Sequence, residues 1–266
     1  MTKGEHLTRL IDFLLPGGCV VCRRWIPTGQ GGTGDLTGLV CDRCRSRLAP
    51  ASWPRCPRCH HPKGTGRTEG EDCLECRDWP EELVAARYAY VLAPPASDLV
   101  HALKYEGWRE LAPLMSAAMA RTVSRYRAGS EGEPHRDSPP PVVVVAVPTT
   151  ERRLRDRGYN QARLLAEGVA RALDRSLIDA LTRQAAEASQ TRLAPSERRE
   201  NVRGAFELTR GAARLVGGAH VLLVDDVLTT GATAGEAART LVARGAESVT
   251  LVTFARALPR VLARAA

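Results

Sequence analysis

VLLVDDVLTTGAT, residues 221–233, reads as a strand, an acidic turn, a phosphate-type loop and the start of a helix. Val221, Leu222, Leu223 and Val224 form a short unbroken apolar run, the pattern of a parallel strand covered on both faces. Asp225 and Asp226 follow at its carboxyl end, where open α/β sheets hold their ligands. Thr229, Thr230, Gly231, Ala232 and Thr233 supply small side chains, hydroxyls and one permissive glycine, and AGEAARTLVARG continues with helical spacing. Such a loop can turn successive backbone N–H groups onto a phosphate at the positive end of a helix dipole. The acids suit sugar hydroxyls. A strand followed by an acid that merely caps the next helix is the plain alternative, but capping uses one acid rather than a pair followed by this loop.

Outward from this stretch, strands are expected at 87–92, 142–147, 177–181 and 249–254, with a return to sheet at 206–208. Helical spacing fills 96–104, with Leu99, Val100 and Leu103 inward, and a second helix running to about Arg127. Lys104, Tyr105 and Gly107 fall at the end of the first of these helices. The alternation of strand and helix predicts an α/β fold with a mostly parallel, doubly wound sheet. After strand 142–147, a loop at 148–159 carries Arg152, Arg153, Arg155 and Arg157 before a helix from Asn160. Arginines at the carboxyl end of a parallel strand suit a diphosphate, which takes several charge-assisted donors; Arg152, Arg153 and Arg157 are the candidates. The polar, proline-rich 128–141 is read as a surface loop without chemistry.

The first third of the chain carries four CxxC pairs: Cys19/Cys22, Cys41/Cys44, Cys56/Cys59 and Cys73/Cys76. Eighteen residues separate the first two pairs and thirteen the last two, the spacing of two successive zinc ribbons. Loop length favours sequential pairing, with Cys19, Cys22, Cys41 and Cys44 on one zinc and Cys56, Cys59, Cys73 and Cys76 on the other. Four thiolates close each site, so the metal is structural. His60 and His61 beside Cys59 are read as loop residues. The N-terminal MTKGEHLTRLIDFLLPGG has no signal-peptide layout, which disfavours a disulfide framework and gives a cytoplasmic reading. Leu7, Leu10, Ile11, Leu14 and Leu15 space a short amphipathic helix, for which docking on the larger domain is preferred over a membrane surface.

At 266 residues and 44% apolar, the chain can bury one α/β core plus a small appendage. No apolar run reaches the about 18 residues of a transmembrane helix. The net charge of +8 invites a nucleic-acid reading, but eight thiolates with two divalent ions bring it down to +4. Arg23, Arg24, Arg43, Arg45, Arg47, Arg55 and Arg58 flank the knuckles, and Trp25, Trp53 and Trp79 offer stacking faces. That set suits a single-stranded nucleic acid, and equally a solvated rim with packed tryptophans. The glycine-rich 28–38 is read as a mobile insertion.

Four apolar residues, two acids and TTGAT resemble the PRPP-binding motif of type I phosphoribosyltransferases; this loop has neither the P-loop Gly-Lys-Ser/Thr ending nor a GxGxxG. More widely, the paired CxxC knuckles, LKYEG, VP…RRLRDRGYNQA…LA, Q…L…ERRENVRGAF and VLLVDDVLTTGAT stand in the order of the ComF family. That resemblance covers nearly all of the chain apart from 28–38 and 128–141, and implies a double zinc ribbon (1–80) before a phosphoribosyltransferase-like domain (81–266). It implies PRPP with its ribose hydroxyls and Mg²⁺ at Asp225 and Asp226, its 5-phosphate on residues 229–233, and its pyrophosphate at the arginine loop. A segment near 184–202 would close over the reaction, with Gln190, Arg199 and Asn201 as its notable polar residues; an exposed helix pair is the other reading. The family is linked to DNA uptake, so the implied function is phosphoribosyl transfer to a nitrogenous acceptor. The alternative is a non-catalytic single-stranded-DNA binder or helicase adaptor that keeps the PRPP fold as sensor or scaffold.

Overall fold

The computed structural model describes residues 18–26, 37–50, 54–63, 73–128, 140–184 and 204–258. The N-terminal helix expected over 7–15, most of the 28–38 insertion, Trp53, most of 128–141, and 185–203 with Gln190, Arg199 and Asn201 lie outside them. In chain order the elements are α1 (Asp42–Ser46), β1 (Leu83–Val91), α2 (Ala96–Tyr105), α3 (Ala112–Thr122), β2 (Val142–Ala146), α4 (Glu151–Arg157) and α5 (Gln161–Leu173). Then come β3 (Ser176–Ile178), β4 (Leu181–Arg183), β5 (Phe206–Leu208), α6 (Ala212–Val216), β6 (His220–Leu228), α7 (Ala232–Val242) and β7 (Ser248–Arg256).

Five strands form an all-parallel sheet in the order β1-β7-β6-β2-β3. From the β6/β2 boundary the chain steps outward in opposite directions, β2 to β3 on one side and β6 to β7 on the other. Right-handed crossovers then place α5 and α7 on opposite faces, and the boundary becomes the switch point above which a crevice opens at the carboxyl ends. α3 packs beside α5, and Met115, Met119, Leu165 and Val169 of these helices are buried. The two helices meet closely at Gly168, where an added Cβ would lie 2.0 Å from Ser116 Oγ.

Several boundaries differ from the expected ones, each for a local reason. β1 starts at Leu83 because the chain leaves the second ribbon already extended along β7. The 177–181 stretch divides: Ser176–Ile178 joins the sheet beside β2, Ala180 N–H bonds back to Ile178 O, and Leu181–Arg183 pairs antiparallel with β5. The helix expected to run to Arg127 ends at Thr122, and Ser124–Tyr126 form a separate 3₁₀ turn. Part of the arginine loop is a helix, α4. Thr150 Oγ1 accepts from Arg153 N–H at its start, Glu151–Arg155 and Arg152–Asp156 pair along it, and Gly158 at φ +75° ends it. The acids do not follow the strand in a turn: β6 runs on through both of them to Leu228.

The two cysteine modules are built alike. Arg23 N–H bonds to Cys19 O at 2.8 Å and His60 N–H to Cys56 O at 2.9 Å, and both residues have φ near +60°. His60 therefore closes a knuckle turn. The second module covers the free edge of β1: Ala86 N–H bonds to Arg58 O, Tyr88 OH to His60 O, and the buried Arg256 of β7 to Cys59 O. Arg58 reaches the carbonyls of Cys76, Trp79, Pro80 and Leu83. Among the described residues no helix is long and apolar enough to cross a membrane.

Candidate functional site

The crevice at the switch point is a cavity of about 480 Å³ whose lining includes Asp225, Asp226, Thr229, Thr233, Arg153 and Arg157. Unequal pairing opens it. β2 pairs with β6 up to Val224, whereas β7 pairs with β6 through Leu228, so the acid pair has a sheet partner on one side only. Asp226 is only 3% exposed, and its Oδ2 lies 2.6 Å from Lys104 Nζ, from the last turn of α2. Asp225 Oδ1 accepts from Asp226 N–H at 2.8 Å. Burial, and then the Asp226 carboxylate, push the Asp225 carboxyl up to about 7.

A carboxyl whose pKa is raised on folding favours the folded state most below its unfolded value, and that contribution disappears as pH rises through its folded value. Asp225 should therefore make the unliganded protein progressively less stable from about pH 4 to about pH 7, by an amount of order a few kcal/mol. Asp225→Asn should flatten this part of the profile in chemical denaturation across pH. A profile as steep as the wild type's would show that the titration belongs to another group.

The TTGAT loop is divided between two sides. Thr229 and Thr233 face the main cavity, while Thr230, Gly231 and Ala232 line a smaller one of about 210 Å³ with Trp79 and Pro80. Trp79 Nε1 donates to Thr230 O at 2.9 Å. Gly231 has φ +83° at the start of α7, and a Cβ there would lie 2.6 Å from the indole. Only glycine fits both demands.

Arg153 and Arg157 face the cavity from α4, and Arg157 also donates to Gln161 Oε1 and lies over the Tyr105 ring. Arg152 is on the outer side, with its side chain 86% exposed and 4.0 Å from Asp156, and is not among the cavity lining. Lys104 and Arg183, to which the sequence had suggested no role, are both in the lining. The position of Lys104 at a helix carboxyl end was readable, but its approach to Asp226 depends on how α2 lies over β6. Arg183 arrives by the β4 turn, which strand-level reading missed; burial, and then Arg153, lower its pKa.

The cysteines converge as two sets, Cys19, Cys22, Cys41 and Cys44, and Cys56, Cys59, Cys73 and Cys76. Within each set all four sulfurs lie within 4.8 Å of one another, a donor set that fits one tetrahedral Zn²⁺ with no open position. His60 and His61 belong to neither set; His61 Nδ1 lies 2.9 Å from Pro62 O.

Comparison with known proteins agrees with this architecture. Residues 10–77 match the double zinc ribbon domain family and residues 160–264 the phosphoribosyl transferase domain family. The DNA utilization protein YhgH of Escherichia coli O6:H1 is 32% identical over 247 residues, covering 92% of this chain and 99% of that protein. The competence protein ComFC of Bacillus subtilis is 27% identical over 82% of this chain and 84% of its own length. Competence protein F of Haemophilus influenzae is 26% identical over 90% of this chain and 96% of its own. A double zinc ribbon in front of a phosphoribosyltransferase-type sheet, shared with these proteins over 82–92% of the chain, makes the chain a member of the ComF family.

Proposed function

We propose that the crevice binds PRPP and that the protein transfers its 5-phosphoribosyl group, with Mg²⁺, to a nitrogenous acceptor in the handling of DNA taken up by the cell. The DNA link comes from the names of its relatives. The observation that carries the reading is the meeting of Asp225, Asp226, Thr229, Thr233, Arg153 and Arg157 in one cavity at the switch point. In this reading Asp225 and Asp226 hold the ribose hydroxyls, the 229–233 loop holds the 5-phosphate, and Arg153 and Arg157 hold the pyrophosphate. Arg152, the third candidate, stands exposed beside Asp156 and outside this cavity. The chain divides functionally into a zinc-ribbon part, 1–80, and a transferase part, 81–266.

The donor set fits Mg²⁺: carboxylate oxygens, with room for phosphate oxygens and waters. When bound with PRPP, the ion would neutralise charge on the leaving pyrophosphate. The residues do the rest. Lys104 balances the buried Asp226 and leaves Asp225 as the carboxylate that gains most from a cation. Arg153, Arg157 and Arg183 place positive charge where a diphosphate departs, and departure leaves an electron-poor anomeric carbon for a nitrogen nucleophile.

The non-catalytic reading, in which the ribbons bind single-stranded DNA or a helicase, has less support. Arg58 is engaged with four backbone carbonyls and Trp79 is packed on the loop, although Trp25 remains 59% exposed. Calorimetric titration of the zinc-loaded protein with PRPP, with and without Mg²⁺, tests the enzyme reading. Mg²⁺-dependent binding is expected, followed by pyrophosphate release on addition of an acceptor. Absence of PRPP binding in both conditions removes the reading and leaves the scaffold alternative.

A further inference from the structure

We propose that Trp79, at the ribbon end of the chain, is a positioning residue for the phosphate-binding loop of the transferase part. This rests on the PRPP reading of the cavity for its effect on binding, and on geometry alone for its effect on the loop. Trp79 follows Cys76 by three residues, and its N–H bonds to Cys76 O at 3.1 Å. Its ring lies across the interface on Gly231, and its Nε1 donates to Thr230 O, 151 residues further along the chain.

In a trans peptide the C=O and the following N–H point in opposite directions. By holding the Thr230 carbonyl, the indole turns the Gly231 N–H away from itself, toward the side on which Thr229 and Thr233 line the cavity. Without the indole donor, that peptide is free to rotate and to offer its oxygen to an incoming phosphate, which would repel it. The bond thus selects the donor-out orientation before ligand arrives, a preorganisation of the kind that raises affinity.

The indole is itself well held. It is 8% exposed; Arg58, from between Cys56 and Cys59, donates to Trp79 O and to Pro80 O at 2.7 Å, and its guanidinium sits 5.9 Å from the ring centre. Pro80 adds a second contact, lying 3.0 Å from where a Cβ on Gly235 of α7 would be. The backbone that carries the second cysteine set therefore also fixes the start of α7.

Plain interface packing makes a different prediction, because it depends on the ring and not on the N–H. Trp79→Phe, and a sulfur-containing tryptophan isostere (3-benzothienylalanine) at position 79, both remove the donor; the isostere keeps the full ring. Two measurements are made on the full-length, zinc-loaded proteins: amide hydrogen exchange of 229–233 without ligand, and the dissociation constant for PRPP with Mg²⁺. Loss of one neutral hydrogen bond predicts exchange faster by up to about tenfold and PRPP affinity weaker by about tenfold, with zinc content unchanged. Wild-type exchange at 229–233 in the isostere protein overturns the positioning role, even if Trp79→Phe fails to fold. If the wild type binds no PRPP, the functional reading fails, and the exchange comparison still decides the role of Trp79. If the isostere protein exchanges faster yet binds PRPP as tightly as wild type, the link from loop to ligand is overturned.

Discussion

Replacing Asp225 and Asp226 together by alanine is expected to weaken Mg²⁺-dependent PRPP binding by at least about 100-fold. Two charge-assisted contacts, at about 1.5–3 kcal/mol each, account for that factor. The single variants should separate binding from folding. Asp226→Ala leaves Lys104, with its side chain only 20% exposed, facing a cavity where its counter-charge stood 2.6 Å away. That variant should lose stability as well as affinity, by a few kcal/mol, because removing one member of a buried pair strands the other. Asp225→Ala should lose affinity with stability equal to or above wild type near pH 8, since folding raises the pKa of that carboxyl. Thermal denaturation alongside PRPP titration checks both. A double variant with wild-type affinity would remove the acid pair from the site.

Loss of zinc should have a still larger effect on folding, and an unequal one. Freshly purified, reduced protein should contain two zinc ions per chain, and structural zinc contributes about 10–16 kcal/mol to small modules of this kind. The two sets are not equivalent in their surroundings. Around the first, Val20 and Val40 are buried in the common core, but the side-chain ion pair that links it to α2, Arg23 with Glu106, is exposed. Around the second, Arg58, His60, Cys59 and Trp79 are joined to β1, β7 and the 229–233 loop. Cys76→Ser should therefore lower the unfolding temperature of the whole protein and speed exchange at 229–233, whereas Cys22→Ser should leave the transferase part near its wild-type midpoint. Metal analysis and calorimetry check this, and equal effects on that midpoint would contradict the asymmetry.

Much of the architecture was legible because it rests on local rules. Val142–Ala146 and Val221–Val224 are apolar throughout, as strands buried on both faces must be, and the cysteine spacing fits only a few metal-site arrangements. What failed to show in the sequence depends on contacts between distant segments. A four-residue apolar run gave no sign that β6 continues through two carboxylates, because polar residues are tolerated there only where β7 pairs on one side and Lys104 supplies charge on the other. Likewise α4, dense in arginine, resembles a loop until its i,i+4 acid partners and the Thr150 cap are counted. Trp79 looked like a stacking face for a nucleic acid; the glycine 152 residues later that makes room for its ring is the residue that the phosphate loop was already expected to need.

The pairing of β1 with β7 has a consequence for the order in which the protein can assemble. β1 leaves the second cysteine module at Leu83 and, among the described residues, its only strand partner is β7, at 248–256. Arg256, at the end of β7 and 1% exposed, reaches back 197 residues to the Cys59 carbonyl. On a ribosome the cysteine modules emerge before the sheet and can take up metal early, but the surface against which the second one rests does not exist until β7 has been made. Such long-range closure is slow. A nascent chain halted before residue 248 would thus carry metal-loaded knuckles, an unpaired edge strand and an unbraced 229–233 loop, a species for chaperones rather than for substrate.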